Sequence, residues 1–194
     1  MARIGVLALQ GDFAEHRAAL KKLGVESLEV RLPAQLDGLD GLIIPGGEST
    51  TIARLMDIYE LREPLKQSAE AGLAVWGTCA GMILMAEHVE EDVPEPLGLM
   101  NIRVRRNAYG RQVDSFETDL LIPELGDPFF HCVFIRAPKI EAVGEGVDVL
   151  STDVRGGVVA VRQEKLLATA FHPELTSDTR FHQYFLTIAE APLS

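Results

Sequence analysis

Ala74-Val75-Trp76-Gly77-Thr78-Cys79-Ala80-Gly81-Met82 is the stretch whose reading decides the fold. An apolar run ends in Gly-x-Cys-x-Gly, and helix-forming residues follow directly. A strand, a sharp turn and a helix in that order make a nucleophile elbow, here with cysteine in the place of serine. The glycines matter because Cβ atoms would clash in so tight a turn. The turn lifts the sulfur to the C-terminal end of the strand. It also sets Cys79 at a helix N-terminus, whose partial positive charge favours a thiolate. Taken alone, the motif is equally compatible with a buried cysteine packed among glycines.

The flanking sequence widens the pattern. Short apolar runs predict strands at Ile4–Leu9, Val25–Val30, Leu39–Ile44 and Leu73–Trp76. Between them, helices are predicted over Phe13–Leu23, through Ile52 to Tyr59 with Ser49 or Thr50 as cap, over Glu63–Ala71, and over Ala80–Glu87. This alternation predicts an α/β fold: three layers, a mostly parallel open sheet with helices on both faces. The second half reads differently, with strands at Met100–Val104, Val113–Glu117, Cys132–Ile135, Val147–Ser151, Val158–Arg162 and Leu167–Phe171. These are expected as antiparallel additions, with a hairpin at Gly156-Gly157. Glu87–Glu95 is read as a surface loop, and a last helix begins near Ser177. With no repeat and no linker, the expectation is a single domain over residues 1–194.

Composition excludes several functions. The chain has 194 residues, 47% of them hydrophobic, and a formal net charge of −11. Such a surface repels a phosphate backbone, so nucleic acid is not expected as a partner, and an anionic substrate needs a local basic site. No apolar run approaches the roughly 20 residues that span a bilayer, so no membrane is expected as a partner. The N-terminal MARIGVLALQGDF is read as a first strand and not as a signal peptide, which makes the cytoplasm the expected location. Cys79 and Cys132 form no CxxC pair, so neither a disulfide framework nor a thiolate zinc site is expected. His16, His88, His131 and His182 have no metal-ligand spacing and are read as ordinary core or surface residues. No metal and no cofactor are expected.

A thiolate nucleophile needs a base and a group to orient that base. Phe171-His172-Pro173-Glu174 follows an apolar run that would end at the same sheet edge as the elbow. His172 would exchange the proton and Glu174 would hold its tautomer. On its own, His-Pro-Glu reads as a solvated turn; with the elbow it completes a Cys79–His172–Glu174 triad. A tetrahedral intermediate also needs oxyanion donors. The N–H of Ala80 is one source, and Pro45-Gly46-Gly47-Glu48-Ser49 is the other. A phosphate-cradling reading of the glycine loop lacks GxxxxGK[ST], and Glu48 would repel phosphate. Arg105-Arg106-Asn107 and Ile135-Arg136 could supply an arginine for a carboxylate, or simply surface charge. Cys132 sits in an apolar strand and is read as packing.

The elbow, the glycine loop and His-x-Glu together resemble the class I (triad) glutamine amidotransferases. Further blocks resemble one branch, the glutaminase subunits of pyridoxal 5′-phosphate synthase. They are Gly5–Asp12 with Glu15-His16, Gly41–Thr51, Arg106–Glu117, Phe134–Pro138 and Phe171–Thr176. The resemblance implies the class I glutamine amidotransferase-like fold and hydrolysis of L-glutamine through a glutamyl-thioester on Cys79. It implies substrate-binding roles for Gly47, Glu48, Ser49, Arg106, Ile135 and Arg136, and an oxyanion hole at Gly47 and Ala80. It also implies a partner, a (β/α)8-barrel synthase subunit in a dodecameric core that carries up to twelve glutaminases and uses the ammonia to make the vitamin B6 cofactor. Three rivals remain at this point: a glutaminase of another synthase, a stand-alone γ-glutamyl cysteine hydrolase, and a non-catalytic module. The last is disfavoured by an intact triad.

Overall fold

The computed structural model describes residues 2–106 and 115–192. The first half alternates as its apolar runs require. β1 (Ile4–Leu7) leads to α1 (Phe13–Lys22), β2 (Ser27–Val30) to β3 (Gly41–Ile44), and two helices, α2 (Ser49–Ile58) and α3 (Arg62–Glu70), precede β4 (Ala74–Thr78) and α4 (Ala80–Met85). Every residue of β1, β3 and β4 is buried, as for strands covered on both faces. Two expectations are corrected here. The cap of α2 is Glu48, whose carboxylate accepts from the N–H groups of Thr50 and Thr51, so neither Ser49 nor Thr50 serves. The helix after the elbow stops at Met85, and β5 (Ala86–Val89) takes up residues expected as helix and surface loop.

The second half holds β6 (Met100–Arg105), β7 (Ser115–Leu120), β8 (Phe130–Ile135), β9 (Lys139–Val143), β10 (Asp148–Thr152), β11 (Val158–Gln163), β12 (Leu166–Thr169) and α5 (Arg180–Glu190). β9 was not expected. The strand expected at Val113–Glu117 is described from Ser115; residues 113 and 114 lie outside the described residues. The main sheet runs β2-β1-β3-β4-β12-β11-β9-β6-β5, with β10 hairpinned onto β11 across Gly156-Gly157. Strands β2, β1, β3, β4 and β12 are mutually parallel; β11 begins the antiparallel additions. β7 and β8 form a separate two-stranded sheet instead of extending the large one.

Trp76, fully buried on β4, shows how one helical layer is fixed. It stacks on Phe181 of α5 and meets the rings of His16 on α1 and His182 on α5 edge-on. Such ring contacts add to the burial of a large apolar surface. No helix among the described residues is long and apolar enough to cross a membrane.

The register places the chemistry. Gly77 lies level with Ile44 of β3 on one side and Ala168 of β12 on the other. The chain segments that leave β3, β4 and β12 therefore emerge side by side. The segment leaving β1 is next in line.

Candidate active site

Cys79 emerges from β4 with φ +48° and ψ −101°, a conformation that costs a non-glycine residue strain and marks a nucleophile elbow. Its N–H is tied to the Thr169 carbonyl at 2.8 Å, and its own carbonyl accepts the first helical bond of α4 from Ile83. The flanking glycines are required by contact: a Cβ on Gly81 would stand 2.0 Å from the Ile44 carbonyl oxygen, and one on Gly77 would stand 2.5 Å from the backbone of Gly81.

His172 follows β12, and its N–H is fixed to the Val133 carbonyl at 2.8 Å. Pro173 starts a single 3-10 turn, Pro173–Leu175. That turn brings Glu174 back onto the imidazole, with Nδ1 2.7 Å from Oε1. Cys79 borders the same cleft as the imidazole and helps to hold the proton on it. Asp12, at the start of α1, places Oδ2 3.4 Å from the same Nδ1. Glu174 is the closer acid and its side chain is fully buried, whereas that of Asp12 is 36% exposed. Of the two acids, Glu174 is therefore the one held against the imidazole.

Burial alone would lower the basicity of His172. Hydrogen bonds with Asp12, Cys79 and Glu174 outweigh it and push the imidazole up to about 12. Burial raises Glu174, and His172 pulls it only part of the way back. The site thus carries an imidazolium next to the sulfur. Asp12, His172 and Glu174 offer three potential ligand atoms within 4.8 Å of one another. However, Nδ1 and Oε1 at 2.7 Å stand closer than two ligands at about 2 Å from one ion ordinarily do, which marks a hydrogen bond.

The glycine loop after β3 is pinned from three directions. Gly46 N–H donates to Thr78 Oγ1 at 3.0 Å, the Gly46 carbonyl accepts from Asp12 N–H at 3.0 Å, and Glu48 N–H donates to Gln10 Oε1 at 2.8 Å. In a trans peptide the N–H opposes the C=O, so Gly47 N–H turns away from Asp12. Ala80 opens α4, where its N–H has no intrahelical acceptor.

A cleft of about 420 Å³ gathers the residues singled out in the sequence. Cys79, His172 and Ala80 form its floor; Gly47, Glu48 and Ser49 border it from the glycine loop; Arg106, Ile135 and Arg136 complete the wall. The Cys79 thiol points to the Ile135 carbonyl at 3.8 Å. Glu174 is hidden behind His172 and does not line the cleft. Arg106 is not a lone cation, because one terminal nitrogen lies 3.2 Å from Glu48 Oε1 and another donates to the Val93 carbonyl at 2.8 Å. Burial opposes the Glu48 charge, but the hydrogen bonds from Thr50 and Thr51 and the charge of Arg106 hold its carboxyl below the usual range. The cleft thus presents a paired cation and anion a short way from the sulfur.

Sequence reasoning missed Gln10, Asp12 and Thr78. All lie at or next to the C-terminal ends of β1 and β4, so the topology was the signal that could have found them. His16 and His182, read as ordinary, are buried immediately behind Glu174. Cys132 is packing as expected, its thiol pushed up to about 12 by burial, with a smaller contribution from Asp119. His131 is on the surface between Asp119 and Glu117. A larger hollow of about 660 Å³ lies at the opposite end of the strands, by Asp37, Gly72 and Lys165, and contains neither cysteine nor histidine among its described lining.

The model of the SNO glutamine amidotransferase family matches residues 6–191. Pyridoxal 5′-phosphate synthase subunit PdxT of Herpetosiphon aurantiacus is 59% identical over 186 residues, 94% of this chain and 98% of its own. The same subunit of Moorella thermoacetica is 58% identical over 184 residues, 95% and 97% of the two chains. A solved glutamine amidotransferase is 51% identical with a TM-score of 0.90, covering 97% of this chain and 99% of its own. PurLQS of Thermotoga maritima, at 17% identity and a TM-score of 0.70, shares the fold.

Proposed function

The chain belongs to the SNO glutamine amidotransferase family, and we propose that Cys79, His172 and Glu174 form the triad with which it hydrolyses the side-chain amide of L-glutamine to glutamate and ammonia. Its relatives are subunits of pyridoxal 5′-phosphate synthase and match it over nearly their whole length. The ammonia is accordingly supplied to a synthase subunit for formation of pyridoxal 5′-phosphate, the vitamin B6 cofactor. The finer description of that partner, a (β/α)8 barrel in a dodecameric core, rests on the sequence resemblance alone.

The observation that carries the triad is that Cys79 and His172 line one cleft while Glu174, behind the imidazole, stands 2.7 Å from its Nδ1. The thiolate of Cys79 adds to the amide carbon of glutamine, and the carbonyl electrons move onto oxygen. Gly47 N–H and Ala80 N–H are the donors for that oxyanion. The His172 imidazolium gives its proton to the departing nitrogen, ammonia leaves, and the glutamyl group remains as a thioester. The imidazole, now neutral, takes a proton from water as the water attacks the thioester, releasing glutamate and restoring the ion pair. At the amino-acid end, Glu48 faces the α-ammonium and Arg106 the α-carboxylate, a match of two opposite charges to a zwitterion. Ser49, Ile135 and Arg136 frame the passage between the two ends.

The test is covalent. An electrophilic glutamine analogue is expected to add its mass to Cys79 and not to Cys132, and Cys79→Ala to lose turnover by several orders of magnitude while remaining folded. Label at Cys132, or turnover by the alanine variant, would overturn the triad.

A further inference from the structure

Glu174 uses only one of its oxygens on the imidazole. Oε1 accepts from His172, whereas Oε2 is buried and has no hydrogen-bond partner among the described residues. The group nearest to meeting it is His16. That residue is fully buried on α1, with Nε2 3.4 Å from Glu174 Oε2 and 3.2 Å from Thr78 Oγ1. On its other side, Nδ1 stands 3.0 Å from Nε2 of His182, which is also fully buried.

We propose that His16 is a positioning residue for the triad: its Nε2–H faces Glu174 Oε2 and holds the carboxylate so that Oε1 stays on His172, with His182 bracing the His16 ring from behind. This rests on the triad reading above.

The charge next to His16 selects its tautomer. A lone pair on Nε2 at this distance from a carboxylate oxygen would be repelled, so Nε2 carries the hydrogen and Nδ1 accepts from His182. The alternative, with Thr78 donating its hydroxyl to a bare Nε2, places two negative regions face to face. Both histidines are neutral: burial first, then the charges of His182 and His172, keeps His16 well below its ordinary value, and burial with Lys22 lowers His182 to about 4. A neutral donor steadies Glu174 without competing for its charge, which remains available to the His172 imidazolium. The position is also shared. Asp12, at the head of the same helix, touches His172 while His16, about one turn on, touches Glu174. α1 thereby sets both partners of the imidazole at once.

The charged and titratable groups that face Glu174 are His172, Asp12 and His16, and those that face His16 are Glu174, His172 and His182. Withdrawing the His16 donor makes the Glu174 carboxylate harder to ionise, so the acid limb of activity moves to higher pH. The experiment compares His16→Asn with His16→Gln in the presence of the synthase partner. Glutamine can place an amide nitrogen where Nε2 stands, whereas asparagine reaches only the Nδ1 position and keeps the link to His182. His16→Asn is expected to lower kcat about tenfold to a hundredfold, the range of one hydrogen bond to a charged group. KM for glutamine should stay unchanged, and the acid limb of kcat/KM should move up in pH. His16→Gln should recover most of the loss. Equal kcat in the two variants, or an unmoved acid limb in His16→Asn, overturns the proposal and leaves His16 a packing residue. A second readout needs no His16 variant: nitrogen NMR of histidine-labelled wild-type protein should show His16 neutral with hydrogen on Nε2, and a signal for Nδ1–H instead overturns it. Cys79→Ala separates the two readings. Turnover by that variant removes the triad itself; an inactive Cys79→Ala with indistinguishable Asn and Gln variants removes only the role of His16.

Discussion

Replacing Gly46 by alanine should disable the enzyme while scarcely loosening its fold. An added Cβ would stand 2.4 Å from His172 Cε1, 2.9 Å from its Nδ1 and 3.1 Å from Asp12 Oδ2. Restoring ordinary contact requires the imidazole to retreat by roughly 1 Å, and a displacement of that size at a reacting group typically costs about 10² in rate. The ring has little freedom to absorb it elsewhere, because its backbone N–H is bound to Val133 and its Nδ1 to Glu174. Global stability responds on a different scale. Gly46 does not sit at positive φ, so alanine restricts the unfolded chain and gains about 0.4–1 kcal/mol. Overpacking costs about 1–3 kcal/mol. The net loss of about 0–2.6 kcal/mol corresponds to a fall in Tm of no more than about 10 °C in a chain of this size. The assay is ammonia release at saturating glutamine with the synthase partner present, alongside a thermal melt and the rate of Cys79 labelling. Turnover within twofold of wild type would refute the reasoning, because it would mean that the loop and the imidazole are not in the tight contact described.

Three further outcomes are expected. Arg106→Ala should raise KM for glutamine at least about tenfold, as for loss of a charge-assisted hydrogen bond, with the melt unchanged; an unaltered KM would leave Arg106 as a partner of Glu48 only. The isolated chain should turn over glutamine about 10²-fold more slowly than its complex, which requires about 3 kcal/mol of preference by the partner for the productive arrangement, and equal rates would refute the coupling. Stability should fall in acid because His182 is held down to about 4 against an ordinary 6.5. The folded state refuses a proton that the unfolded chain accepts, so stability present above pH 6.5 is lost progressively towards pH 4, by up to about 3 kcal/mol. Denaturant midpoints at pH 7 and 4.5 should show that loss in wild type and less of it in His182→Gln, and the same loss in both would refute it.

The elbow was legible because its backbone has few alternatives: with Ile44 and Gly81 in contact, no side chain fits at either flanking position. The parallel half of the sheet was legible for a related reason, since strands buried on both faces carry unbroken apolar runs. β5 was not, because Ala86, Glu87 and His88 follow a helix without any stop signal, and only pairing with β6 takes them out of it. β9 was lost in Lys139–Val143, where burial does not alternate cleanly. The cap of α2 was assigned by residue type to Ser49 or Thr50, while the structure uses the longer reach of Glu48, which Arg106 also engages. His16 and His182 had no readable link in sequence. They stand 166 positions apart and meet only because α1 and α5 close over Trp76.

The placement of α1 accounts for why the chemistry sits where it does. Four segments leaving parallel strands bring together Cys79, His172, the glycine loop and Gln10–Asp12, and the one after β1 contributes neither nucleophile nor base. Yet Asp12 N–H holds the Gly46 carbonyl, which sets the direction of Gly47 N–H, and Gln10 Oε1 holds Glu48 N–H. The same short segment thereby orients Gly47 N–H, the proposed oxyanion donor, and Glu48, the proposed partner of the α-ammonium, while the Asp12 carboxylate stands against His172. Geometry at the oxyanion and protonation at the imidazole are thus carried by one element and not by two that could drift apart. A partner that contacts Gln10–Asp12 does not need to reach Cys79 to alter its chemistry. A shift of a few tenths of an ångström there changes the Gly46 bond and the charge beside His172 together.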